Sequence, residues 1–227
     1  MVGTNKREKT MRDRHTVMTW VALVGVSVAS VALAAVPGTV ATFDVDEEAF
    51  IGSTTSTVQV HQLAGGNPDG HVLVRKDLEF GFDIGTENSS SPAFLGDYAA
   101  AGITGGGFDL NVFNTTFDEV HLRFRRHVAE NGWYYNFGQV VPNANMWESY
   151  DAAFDPTWND VTALANGWSQ EAFSPSFADL MTSVGWIEAR LINNDSAIAG
   201  VDNVRIVPEP GTLALLGIGL ALAVRRR

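Results

Sequence analysis

The 227-residue chain has no cysteine, which rules out disulfides and thiolate metal sites. Positive charge is almost as scarce in the middle. Between residues 35 and 207, seven Lys and Arg stand against 23 Asp and Glu, a net charge of −16. A field of that sign repels polyanions, so no nucleic acid is expected as a partner. HExxH, GxSxG and GxxxxGK[ST] are all missing, and with them the sequence marks of zinc-protease, serine-hydrolase and P-loop chemistry. GITGGG (102–107) lacks the spacing and the following helix of a dinucleotide-binding turn.

The two ends carry the clearest signals. Lys6, Arg7, Lys9, Arg12 and Arg14 precede an uncharged stretch from Thr16 to Phe43. A basic leader followed by WVALVGVSVASVALAAV reads as an export signal, and Ala32-Leu33-Ala34 places the signal peptidase cut after Ala34. Residues 1–34 are then a signal peptide with an N-terminal signal helix. At the other end, Leu213 to Val224 is an apolar run of 12 residues, roughly 18 Å as a helix against a hydrocarbon core about 30 Å thick. Such a short transmembrane helix needs a thinned bilayer and snorkelling by Arg225, Arg226 and Arg227. Those arginines stay on the cytoplasmic side and leave the acidic middle outside. Val207 and Glu209 each precede a proline, while Pro208 and Pro210 fix their own φ. The peptide is therefore expected to be stiff, extended and exposed at the membrane surface.

Between the ends, apolar and polar residues alternate in short runs: 57–61 (TVQVH), 71–75 (HVLVR), 79–84 (EFGFDI), 108–113 (FDLNVF), 120–124 (VHLRF), 186–192 (WIEARLI) and 201–207 (VDNVRIV). Turn clusters separate them at 65–70 (GGNPDG), 86–92 (TENSSSP), 102–107 (GITGGG) and 193–196 (NNDS). The pattern predicts one all-β domain over 35–206, an antiparallel, jelly-roll-like β-sandwich with one or two short helices. The helical pieces are 160–166 and 176–184, the second with a Ser176 cap and Phe177, Leu180, Met181 and Val184 on one face.

Val207-Pro208-Glu209-Pro210, the apolar run and the arginine cluster, in that order, resemble the PEP-CTERM sorting signal of exported bacterial proteins. The resemblance covers 207–227. It implies cleavage by an exosortase in a bacterium that has an outer membrane and makes extracellular polysaccharide. It also implies inner-membrane anchoring before processing, and the cell surface or extracellular matrix afterwards. The middle resembles laminin domain IV, a galactose-binding-like jelly roll, at Thr42-Phe43-Asp44, Gly65 to Gly70, Phe94-Leu95-Gly96-Asp97 and Val201-Asp202-Asn203-Val204. Asp69 departs from the glycine of that pattern, which costs energy if the position needs φ > 0. That resemblance implies a structural calcium shared by Asp44 or Asp46 and Asp202, with Asp77 as an extra ligand.

Aromatic residues gather between 133 and 168. Exposed Trp133, Tyr135, Trp147 and Tyr150, with amide neighbours Asn131, Asn143 and Asn145, would make a stacking platform for an extracellular polysaccharide. The competing reading sends alternate members of WYYNF into the sandwich core. The net charge favours a neutral sugar over an anionic polymer. His121 and His127 flank LRFRR but read as one face of a strand. The chain is thus expected to bind carbohydrate without catalysis. A ligand-free structural matrix protein and a polysaccharide hydrolase or lyase are the alternatives.

Overall fold

A computed structural model describes residues 35–76, 81–127, 129–143, 146–193 and 196–210. Outside them lie the expected signal helix, the apolar run 213–224, Arg225, Arg226 and Arg227, and also Asp77 and Asn145. Two antiparallel sheets form the sandwich. The first has the order β3 (Thr57–Gln62), β4 (His71–Lys76), β12 (Ile198–Pro208), β6 (Ile103–Val112), β9 (Glu148–Ala153), with β1 (Val40–Ala41) also on β12. The second has the order β10 (Trp168–Gln170), β8 (Trp133–Asn136), β7 (Glu119–Arg125), β11 (Trp186–Ile192), β5 (Asp83–Asn88), β2 (Phe50–Gly52). Three short helices, α1 (Tyr98–Ala101), α2 (Asp160–Ala165) and α3 (Phe177–Met181), complete the described elements.

Alternation decides which face each strand buries. Val120, Leu122 and Phe124 of β7 and Ile187, Ala189 and Leu191 of β11 are fully buried between the sheets, and their neighbours point outward. Aromatic rings form a seam through the core. Phe124 lies 5.6 Å from Tyr98 and 5.7 Å from Trp168, Trp168 lies 5.5 Å from Phe177, and Phe177 lies 5.2 Å from Trp133. Ser176 caps α3 by accepting from the Asp179 amide, and Phe177, Leu180 and Met181 are all buried, as the sequence pattern requires.

Two expectations about strands are corrected. GITGGG is the start of β6, not a turn. Glycine recurs there because neighbours approach closely: a Cβ on Gly107 would fall 2.4 Å from the Tyr150 carbonyl oxygen on β9. The strand expected over 79–84 is instead β5, which continues through Thr86, Glu87 and Asn88. Its polar composition imitates a turn, yet all three are buried, and Thr86 Oγ1 donates to Gln59 Oε1 at 2.6 Å. In the 65–70 turn Asp69 does not adopt a positive φ, so its departure from glycine carries no backbone cost there, whereas Gly65 adopts φ 86°.

Truncating Phe124 to Ala removes the ring that joins Tyr98, Phe154 and Trp168. The expected loss is about 3–5 kcal/mol, read from the midpoint of urea unfolding.

Candidate functional site

The four aromatic residues selected from the sequence do not converge. Trp133 is fully buried, edge-on to Phe177, and its indole N–H donates to the Pro175 carbonyl. It is removed from any sugar platform because alternation on β8 turns it inward. Tyr135 is on the same inner side, against Phe137 and Trp168. Tyr150 packs on Phe108 and Phe137 at the rim of the core, and its hydroxyl donates to Glu148. Trp147 lies over the outer face of the first sheet, 5.4 Å from His71, and donates to the Gly65 carbonyl.

Asp44 and Asp202 do meet, around the 65–70 turn. One oxygen of Asp44 accepts from the Gly70 amide and the other from Thr42 Oγ1. Asp202 accepts from the Asn67 and Asn203 amides. Beside them Asp109 accepts from Ser149 and Arg205 on one oxygen, and from Asn67 and Asn203 on the other. Burial pushes Asp202 up to about 6, and the charges of Asp109 and Asp44 add to that push. Burial also acts on Asp109, but donors from Ser149, Asn203 and Arg205 outweigh it and hold that carboxyl below its usual range. A hard cation wants about 6–8 oxygen ligands, and here N–H and O–H donors already hold the oxygens. Among the described residues no group of three or more Asp, Glu or His could hold a metal ion. Calcium at Asp44 and Asp202, as the resemblance implied, would share oxygens that here accept from Thr42, Gly70, Asn67 and Asn203.

A second polar assembly covers the outer face of the second sheet. Register places Glu87, Glu188, Arg123 and Tyr134 in one row across β5, β11, β7 and β8. Arg123 donates to Glu188 at 2.9 Å and to Glu171 at 2.7 Å, and Arg125 reaches Glu87 at 3.3 Å. The next row carries Arg190, paired with Asp83 at 2.7 Å, and His121, stacked 4.3 Å from Tyr134. Glu188 and Glu87 are only 1% and 3% exposed. At one end of this face the Arg125 guanidinium lies 3.9 Å over the Trp186 ring. There a groove of about 340 Å³ opens, lined by Ser89, Arg126, His127, Gly185 and Trp186. That volume is at the lower end of the ~300–1,000 Å³ found for small-ligand sites.

Two buried carboxyls on adjacent strands do not both ionise readily. Burial, followed by the Glu188 charge, drives Glu87 from its ordinary 4.5 up to about 8, against the pull of Arg125. Glu87 is therefore a neutral acid at pH 7, able to donate a hydrogen bond. Sequence reading passed over this face. The outward residues of VHLRFR and WIEAR are visible as alternation, but not the strand partners that bring their charges together.

At the C-terminal end, Val207 pairs with Gly105 and Pro208 with Ile103, and the Glu209 amide donates to the Gly102 carbonyl at 2.8 Å. Pro208 is buried, while Glu209 and Pro210 are exposed. The motif is thus only half free, contrary to the fully exposed peptide expected from its prolines. The PEP-CTERM protein-sorting motif matches residues 207–227. The tail is a sorting signal. It marks the protein as exported and anchored before processing. Among the described residues no helix is long and apolar enough to cross a membrane.

No curated protein matches the chain significantly. Solved structures do resemble the fold. A family 11 carbohydrate-binding module from Clostridium thermocellum, in complex with a β-1,3-1,4-mixed-linked tetrasaccharide, is similar over 77% of this chain and 98% of its own. Its TM-score is 0.51 and its identity 14%. The solution structure of CtCBM11 gives 0.50 at 12% identity, covering 77% of this chain and 97% of that one. An exo-β-agarase gives 0.54 at 11%, with 76% of this chain on only 26% of the agarase. At such identities the likeness establishes the jelly-roll fold alone.

Two measurements follow. Between pH 4.5 and about 8 the unfolded chain has released the Glu87 proton while the folded chain keeps it, so this residue makes stability fall as pH rises through that window. Glu87→Gln is expected to raise Tm at pH 8 and to leave it unchanged at pH 4.5. For the Asp44 and Asp202 cluster, calcium and chelator are expected to give the same Tm in differential scanning calorimetry. A rise of several degrees with calcium would mean that the cluster holds a structural ion.

Proposed function

We propose that this exported protein binds a neutral extracellular polysaccharide, without catalysis, in the groove at the Trp186 end of the second sheet. The observation that carries the reading is the groove itself. Arg126, His127 and Ser89 line it together with Trp186, whose ring is only 6% exposed beneath the Arg125 guanidinium, and it adjoins a face whose charges are already paired. Sugar hydroxyls both donate and accept, and hydrogen bonds to ionised or strongly polar groups are the stronger kind. Beside the groove, the contacts of Arg125 with Glu87 and with the Trp186 ring are made before any ligand arrives, which lowers the ordering cost of binding. The fold likeness to carbohydrate-binding modules supports the same reading, as does the net charge of −16 between residues 35 and 207, which disfavours an anionic polymer. Cell-surface or matrix residence after exosortase cleavage belongs to this proposal too.

One observation favours a second reading. A protonated Glu87 beside Glu188 has the composition of a general acid and its partner carboxylate, as in glycoside hydrolysis. Against it, both carboxyls are engaged by Arg123 or Arg125.

Isothermal titration of the mature protein against a panel of neutral polysaccharides distinguishes these readings. Trp186→Ala and Arg126→Ala are each expected to weaken binding on the order of tenfold, about 1.4 kcal/mol, with thermal unfolding used to confirm the fold. Trp147→Ala is expected to bind like the parent. Sensitivity to Trp147 in place of Trp186 would move the site to the other sheet. Release of reducing ends, abolished by Glu188→Gln, would establish the hydrolase.

A further inference from the structure

A cleft that grips extended peptide needs its backbone free, yet the first residues of the sorting motif are part of a sheet. β12 runs through Val207 and Pro208 and is paired on β6 as far as Ile103. The Glu209 amide adds one more bond to Gly102, the left-handed residue that ends α1. On its other side, β12 is tied to the start of the domain: Gly38 donates to the Ile206 carbonyl, and the Ile206 amide donates to Thr39. Ile103 and Pro208 are buried, so this end of the strand is seated and not merely adjacent.

We propose that the folded domain latches its own sorting motif: a processing enzyme obtains Val207 and Pro208 as extended peptide only after the last rungs between β12 and β6 have opened. The inference rests on the sorting reading of 207–227. A cleft that grips extended peptide uses its backbone N–H and C=O groups, and here those of Val207 and Glu209 are in use or face a paired strand. Strand ends open locally at far less cost than the whole domain. The latch therefore slows cleavage without forbidding it, and sets the rate by the stability of the sheet edge.

Absence of cysteine allows the latch to be locked selectively. A Cβ built on Gly105 would lie 3.4 Å from Val207 Cβ, close to the roughly 3.5–4.5 Å span of a disulfide. The full-length Gly105→Cys/Val207→Cys chain is expressed in a host carrying the exosortase, and intact mass reports cleavage. Cleavage is expected to stop when the pair is oxidised and to resume on reduction. In a second chain, a short Gly-Ser insert between Ile206 and Val207 frees the motif and leaves the rest of β12 paired. It is expected to be cut severalfold faster than the parent. Equal rates for the oxidised and reduced chains, or for insert and parent, overturn the latch. If the double-cysteine chain fails to fold, as limited proteolysis would show, the insert arm decides. Loss of cleavage in Pro208→Ala/Pro210→Ala, with normal cleavage of the parent, confirms the sorting reading independently. A parent that is never cut sinks both.

Discussion

Backbone pairing of the last strand is the constraint on which the first sheet depends. β12 lies between β4 and β6 and also carries β1, so it contributes hydrogen bonds on both edges. Its sequence serves three layers at once. Ala199, Val201, Val204 and Ile206 fill the core, Asp202 and Arg205 hold the 65–70 turn and Asp109 on the outside, and Val207 begins the sorting motif. A bulge between Asp202 and Arg205, with Asn203 at φ 47°, lets both charged residues face outward and Val204 face inward. Without that extra residue, a strict period of two could not satisfy all three positions.

The second sheet solves a different problem. Its outer face buries carboxyls and guanidinium groups together, and desolvation of that kind is tolerated only when each charge is paired. Four of the seven Lys and Arg between residues 35 and 207 stand on this face or at its edge: Arg123, Arg125, Arg126 and Arg190. In so acidic a segment, that concentration marks a face with a specific demand for positive charge. Replacing the network with apolar groups would usually keep or raise stability.

Much of this was legible in the sequence, and the rest was hidden for physical reasons. The alternation that made WIEARLI and TVQVH readable as strands is a local property, fixed by the pleat. β5 does not show as a strand in the sequence because Thr86, Glu87 and Asn88 look like a turn until Gln59, Arg125 and the core surround them. Trp133 and Trp186 have the same intrinsic appetite for sugar rings. Only strand register decides that Trp133 faces Phe177 and that Trp186 faces Arg125 and the groove. Pairing between β7 and β11, some sixty residues apart, leaves no local trace, so the site assembled there could not be read from either segment alone.

The same non-local pairing orders events along the chain. Val40 meets Arg205, and Gly106 meets Ile206, so the first sheet cannot close until the chain is available almost as far as the sorting motif. Long-range pairing of this kind is slow because loop closure precedes any reward. During export, therefore, the motif is extended before β12 docks and is withdrawn as it docks. Folding and processing draw on the same few residues, and a stronger sheet edge favours folding at the expense of processing. The exposed Glu209 and Pro210, next to the buried Pro208, stand where those two demands meet.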